Sequence, residues 1–282
     1  MVAATPTTRR VRLRSCELRY ARTGTGPPVV LMHTLRTQLE YLAPLVAELD
    51  PTRLDVIAVD LPGHGESTAA PVEHTATYFT DAIEELLDAL ALEDAILAGD
   101  SIGATIALLV AARRNARVRG VVAVNPYDYG TRGGVRRNSA LANVLFSMAL
   151  LPGIGPVAVR LEQEWMIRRV LRSGMRHPDR LPAELPAQLL RCGRLPGHAR
   201  AFRSLLLGWR TWIRARAEYD RIAVPVVLAY GTDDWATPEE REANGRAIPH
   251  ASTVELARTG HFAALDAPAE LAELVARAAA AA

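Results

Sequence analysis

The stretch Ala98-Gly99-Asp100-Ser101-Ile102-Gly103-Ala104 decides how the rest of the chain is read. Asp94 to Leu97 before it is short and apolar enough for a buried strand. The Ala/Ile/Leu run from Ile102 to Arg113 after it has the length and composition of a packed helix. Gly-x-Ser-x-Gly at such a junction predicts a sharp turn that strains the Ser101 backbone and pushes its hydroxyl out at the edge of a sheet. The small residues let strand and helix approach closely, and the first N–H groups of the helix stay free for a developing anion.

Outward from that turn, strands and helices alternate. Arg9 to Arg14 and Glu17 to Arg22 have the pattern of an antiparallel hairpin, and Val29 to Met32 and Leu54 to Val59 that of short buried strands. Helical spacing runs from Gln38 to Leu49 and from Thr75 to Leu92. Further strands are expected at Gly120 to Val124, Val226 to Tyr230 and Ser252 to Leu256, with helices from Pro238 to Ala247 and from Ala267 into the alanine tail. This order predicts an α/β fold: a mostly parallel, eight-stranded sheet covered by helices on both faces. Chemistry in such sheets gathers at the carboxyl ends of the strands, where His33, Ser101 and Asn125-Pro126-Tyr127-Asp128 fall.

The alternation stops between about Gly130 and Arg216, a stretch of Pro- and Gly-punctuated helices with no convincing strand. It is expected to be a helical insertion (131–216) over a core made of 1–130 and 217–282. From Thr131 to Ala215 there are 15 arginines against four acids (Glu162, Glu164, Asp179 and Glu184), whereas the remainder has 18 arginines against 27 acids. Basic helices over an acidic core concentrate positive potential where substrate enters, which suits an anionic substrate, a phosphopantetheine-bearing acyl carrier or membrane phospholipid. A solvated arginine face on amphipathic helices accounts for the same composition. Leu141 to Leu151, with Trp165, Trp209 and Trp212, could line an acyl pocket or simply form the core of the insertion.

At 282 residues, 49% hydrophobic, 23% charged and +2 net, the chain has the composition of an ordinary globular protein, with nothing pointing to nucleic acid. All 33 basic residues are arginine. Cys16 and Cys192 fall in different parts of the predicted fold without metal-ligand spacing, so free thiols in a reducing compartment are expected. Met1 to Arg10 lacks an apolar secretory core, and Leu141 to Leu151 falls short of the about 20 residues a membrane span needs. The expectation is a cytoplasmic protein without a transmembrane segment.

An activated serine needs a base, and the base needs an orienting acid. Gly231-Thr232-Asp233-Asp234-Trp235 follows one late strand and Thr259-Gly260-His261-Phe262 follows the last. With these residues the chain resembles the α/β-hydrolase superfamily, from about Arg9 to Val275, and the insertion stands where that family places its cap. The resemblance implies Ser101 as nucleophile, His261 as general base and Asp234 as the orienting acid, with Asp233 and Asp128 as rival acids. His64, in the Pro-Gly-His-Gly loop, is expected to be structural.

Two positions depart from the family pattern. Where the family has His-Gly, this chain has His33-Thr34-Leu35-Arg36, so the oxyanion hole is expected from the N–H groups of Ile102 and Leu35 in a loop without glycine. Arg36 is either a surface residue or a cation pointing into the pocket, and with Thr34, Tyr127 and Trp235 it is a candidate for substrate binding. The second departure is Asp100, where the family carries His, Gln or Asn. The resemblance implies a serine hydrolase working through an acyl-enzyme on an ester, thioester or activated C–C bond of a small, largely apolar substrate that could be anionic or carrier-bound. It implies no metal and no cofactor. Serine at the elbow argues against dehalogenases and epoxide hydrolases, which place a carboxylate there. A repurposed lyase, cyclase or acyltransferase, or a non-catalytic ligand binder, are the alternatives.

Overall fold

A computed structural model describes residues 7–129 and 134–281. Eight strands form one sheet: β1 (Thr8–Arg12), β2 (Glu17–Gly24), β3 (Pro28–Met32), β4 (Asp55–Val59), β5 (Ala95–Asp100), β6 (Val118–Val124), β7 (Val226–Gly231) and β8 (Ser252–Leu256). Their spatial order is β1-β2-β4-β3-β5-β6-β7-β8. β2 runs antiparallel to both β1 and β4, and every other pair is parallel.

Apart from Asp55 and Asp100 at strand ends and Arg119 near the start of β6, the inner strands are apolar because both faces of the sheet are buried. Val30 and Met32 of β3 point into one core cluster, and Val29 and Leu31 into the other. β4 divides the same way, with Ile57 and Val59 against Val56 and Ala58. Helices α1 (Ala43–Glu48), α2 (Ala76–Ala89) and α3 (Ile102–Ala112) connect the first strands. α2 starts at Thr75, whose side chain accepts the Tyr78 N–H, and lays Phe79, Ile83, Leu86 and Leu87 on the sheet. α1 packs on the opposite face with Leu45.

Some boundaries differ from the sequence expectation for local reasons. β5 runs on through Gly99 to Asp100, because both pair with β6, at Ala123 and Val124. The helix expected from Gln38 begins as a 3-10 turn at Leu39–Leu42, and the α-helix starts only where Pro44 fits its first turn. β6 begins two residues early, at Val118.

Between β6 and β7 the described residues contain helices and no strand: α4 (Gly134–Asn138), α5 (Ala140–Leu150), α6 (Gly155–Arg160), α7 (Glu164–Ser173), α8 (Leu185–Gly193), α9 (His198–Leu207) and α10 (Trp209–Arg214). The boundary expected at residues 130 and 131 lies outside the described residues. After β7 come α11 (Pro238–Ala247), closed at its start by a Thr237/Glu240 capping box, then α12 (Ala263–Asp266) and α13 (Pro268–Ala281). The short α12, starting two residues after His261, has no counterpart in the sequence expectation. Among the described residues no helix is long and apolar enough to cross a membrane.

Candidate active site

The register of the sheet brings the loops together. Met32 pairs with Gly99 and Asp100 with Val124, so β3, β5 and β6 end at nearly the same level. Ser101 stands at the end of β5 with φ 57° and ψ −111°, a conformation few non-glycine residues adopt. Glycines on either side make it possible. A Cβ at Gly99 would collide with the backbone of Gly103, and one at Gly103 would meet the carbonyl oxygens of Met32 and His33. The Ser101 N–H donates to the Val124 carbonyl, and its own carbonyl accepts from the Tyr127 and Thr105 N–H groups. Ile102 opens α3, so its N–H has no carbonyl one turn earlier in the helix to bond.

His261 Nε2 lies 3.0 Å from Ser101 Oγ, and His261 Nδ1 lies 2.6 Å from Asp234 Oδ1. All three residues are buried or nearly so. Burial pushes the Asp234 pKa up, but the neighbouring His261 ring, its hydrogen bond and the Ala236 N–H outweigh it and hold the carboxyl below its ordinary value. Asp234 is therefore an anion at neutral pH. It accepts from His261 Nδ1–H, which leaves Nε2 to accept from the serine hydroxyl. Trp235 stacks on the imidazole at 4.1 Å between centroids and 17° between planes.

The rival carboxylates are elsewhere. Asp233 is half exposed, 3.9 Å from Arg176. Asp128 is buried among Arg216, Tyr219 and Asn244, all of which donate to its carboxylate.

Asn125 joins the loops, a role its sequence position did not reveal. Its Oδ1 accepts the Gly231 N–H, and its Nδ2 lies 3.1 Å from the His261 carbonyl and 3.3 Å from that of Gly260. One buried side chain thus ties the ends of β6, β7 and β8. The available signal was an asparagine at the end of an apolar run, since that residue tolerates the left-handed region (here φ 45°) better than most.

Beside the elbow, Asp100 accepts from Tyr41 Oη, and its other oxygen is buried without a partner among the described residues. Burial raises its pKa to about 7, against the lowering influence of His261 and the Tyr41 bond. His33 is fully buried: burial lowers its pKa to about 4, and its neutral ring donates from Nδ1 to the Thr34 carbonyl and accepts the Leu61 N–H at Nε2. It is a strut between the loops after β3 and β4. His64 is also buried, with its ring 5.2 Å from that of His33.

Ser101 and His261 open on a cavity of about 60 Å³. Thr34, Leu35, Arg36, Tyr127 and Trp235 all line it, so the structure gathers the expected binding residues around the serine. Leu145 and Phe146 of α5 face it as well, whereas Trp165, Trp209 and Trp212 do not line it. Trp212 is instead packed in the core against Phe79. Arg36 is paired with Glu162, an acid with no motif around it in the sequence.

A family model described as alpha/beta hydrolase fold matches residues 27–268. The chain is 25% identical over 251 residues to the (E)-2-((N-methylformamido)methylene)succinate hydrolase of Acinetobacter baylyi, covering 88% of this chain and 89% of that protein. Its fold is similar to the crystal structure of E-2-(acetamidomethylene)succinate hydrolase, with TM-score 0.76, 23% identity, and 96% and 98% of the two chains covered. It is also similar in fold to the haloalkane dehalogenase DbeA of Bradyrhizobium elkani, with TM-score 0.78, 20% identity, and 98% and 99% covered.

Proposed function

The chain belongs to the alpha/beta hydrolase family, and on that premise we propose that it is a serine hydrolase cleaving an ester or thioester of a small, largely apolar acyl group. The observation that carries this reading is the continuous relay from Ser101 Oγ through His261 to the ionised Asp234, set on a strained turn that opens on the cavity. In this mechanism Ser101 Oγ attacks the acyl carbon while its proton passes to His261 Nε2. The imidazolium that forms is held by Asp234. The charge on the carbonyl oxygen meets the N–H groups of Ile102 and Leu35, and collapse expels the alcohol or thiol, which takes the proton from His261. Water, deprotonated by His261, then attacks the acyl-serine and frees Ser101.

We read the helices between β6 and β7, over 131–216, as a cap, since α5 and α7 supply the apolar wall with Phe146, Ile167, Val170 and Leu171. The elbow serine also separates this chain from its dehalogenase neighbour in the proposed chemistry, because a serine ester rather than a carboxylate ester is the intermediate.

A fluorophosphonate probe tests the reading. The folded protein is expected to be labelled at Ser101, found by peptide mass mapping, and the Ser101→Ala variant to lose both labelling and p-nitrophenyl ester turnover. A folded protein that stays unlabelled, or a Ser101→Ala variant that keeps its turnover, overturns it.

A further inference from the structure

We propose that Glu162 sets the charge selectivity of the cavity by cancelling Arg36, so that the acyl group accepted beside Ser101 is uncharged. The proposal rests on Ser101 as nucleophile only for what is turned over; the charge argument concerns the cavity itself.

Arg36 lies in the loop after β3 at φ 61°, and its guanidinium bonds the carboxylate of Glu162, 126 residues away between α6 and α7. Both side chains line the cavity with Ser101 and His261, and they are only 19% and 14% exposed. The other lining residues are apolar except for Thr34, Thr37, Ser101, Tyr127 and His261, so this pair supplies the permanent charges of the wall. The guanidinium is held in place on two further sides. Its Cζ lies 5.4 Å from the Phe202 ring centroid, and a Cβ at Gly193 would occupy its position.

Alone, so enclosed a guanidinium would draw an anion into the cavity. Beside Glu162 it does not. A substrate carboxylate would have to shed its water and displace a carboxylate tethered next to Arg36 at high effective concentration. A neutral acyl chain meets neither obstacle and gains contact with Phe146, Ile167 and Leu171. Relatives named for succinate derivatives suggest a carboxylate-bearing substrate, and this pair argues the opposite here.

Mono-p-nitrophenyl glutarate and p-nitrophenyl pentanoate share an acyl chain that ends in a carboxylate or a methyl group. The wild type is expected to prefer the pentanoate in kcat/KM. Glu162→Gln, whose amide oxygen can still accept from Arg36, is expected to shift the ratio toward the glutarate by roughly tenfold or more, and adding Arg36→Met to abolish the shift. Arg36→Met alone is expected to move the ratio the other way. The same pair is compared without turnover, as monomethyl glutarate and methyl pentanoate binding by calorimetry to Ser101→Ala with and without Glu162→Gln. A shift in binding with no ester turnover leaves the charge role standing and overturns the nucleophile reading. Turnover with both ratios within twofold of the wild type overturns the charge role alone. A wild type that prefers the glutarate also overturns it.

Discussion

At the scale of single residues, two neighbouring aspartates meet different fates. Asp234 is enclosed against the imidazole, while Asp233 turns outward toward Arg176. Asp234→Asn is expected to lower kcat by roughly 10³–10⁴-fold with little change in KM, and Asp233→Asn to leave both near the wild type. Steady-state kinetics on one ester decides between them. Both were visible in the sequence after β7, with Asp234 favoured by its place in the family pattern and Asp233 as its rival; burial and the reach to Nδ1 are the physical differences between them. Asp100 shows a different limit. Its position in the elbow was legible, yet its partner Tyr41 is 59 residues away and nothing local pointed to it. Because its pKa is about 7 when folded, against about 4 in an unfolded chain, Asp100 favours folding below pH 4 and loses that contribution as pH rises to 7. Asp100→Asn should therefore gain stability relative to the wild type across that window, up to a ceiling of about 4 kcal/mol, as read from denaturant unfolding at pH 4 and pH 8.

At the scale of elements, the junction of β5 and α3 depends on absent side chains. Gly103→Ala would press a methyl group on the Met32 and His33 carbonyls, so α3 must move away from the end of β3. A loss of roughly 1–3 kcal/mol in unfolding free energy, together with slower fluorophosphonate labelling of Ser101, is expected. The turn at this junction was legible because Gly99, Ser101 and Gly103 lie close together in the sequence, whereas the end of β5 and the β3 carbonyls that Gly103 faces were not. The loops at the ends of β6, β7 and β8 were legible only in part. Their motifs identify Asp234 and His261, but the clamp that aligns them is Asn125, more than 100 residues from the groups it holds. Asn125→Ala leaves the Gly231 N–H and the His261 carbonyl without that partner in a buried place. Its expected cost is about 2–3 kcal/mol in denaturant unfolding.

At the scale of the whole molecule, the helices between β6 and β7 and the sheet are not independent bodies. The Asp266 carboxylate, on α12, accepts the N–H groups of Arg176 and His177, just after α7, and of Gly260 just before His261. The His261 N–H in turn donates to the Gly174 carbonyl at 2.7 Å. Asp266→Ala should strand three N–H groups at once, lowering stability by about 3 kcal/mol or more and slowing Ser101 labelling as His261 loses its support. Calorimetric melting and labelling rates measure the two effects separately. None of this was legible in the sequence, where α12 was missed and Asp266 stood in no motif.

That attachment bears on how such a protein could be re-engineered. A designer who wished to change selectivity by exchanging residues 134–214 for the matching segment of a relative would treat the segment as a cassette. Here the cassette carries the carbonyl that accepts the His261 N–H and the amides that fill Asp266. A graft that does not reproduce Gly174 to His177 would unseat His261 before it altered the lining of the cavity. Gly174 itself admits no side chain, since a Cβ there would run into Trp235 and Phe262. The exchangeable portion is therefore the stretch before Gly174, where α5 and α7 face the cavity, and the graft point belongs within α7.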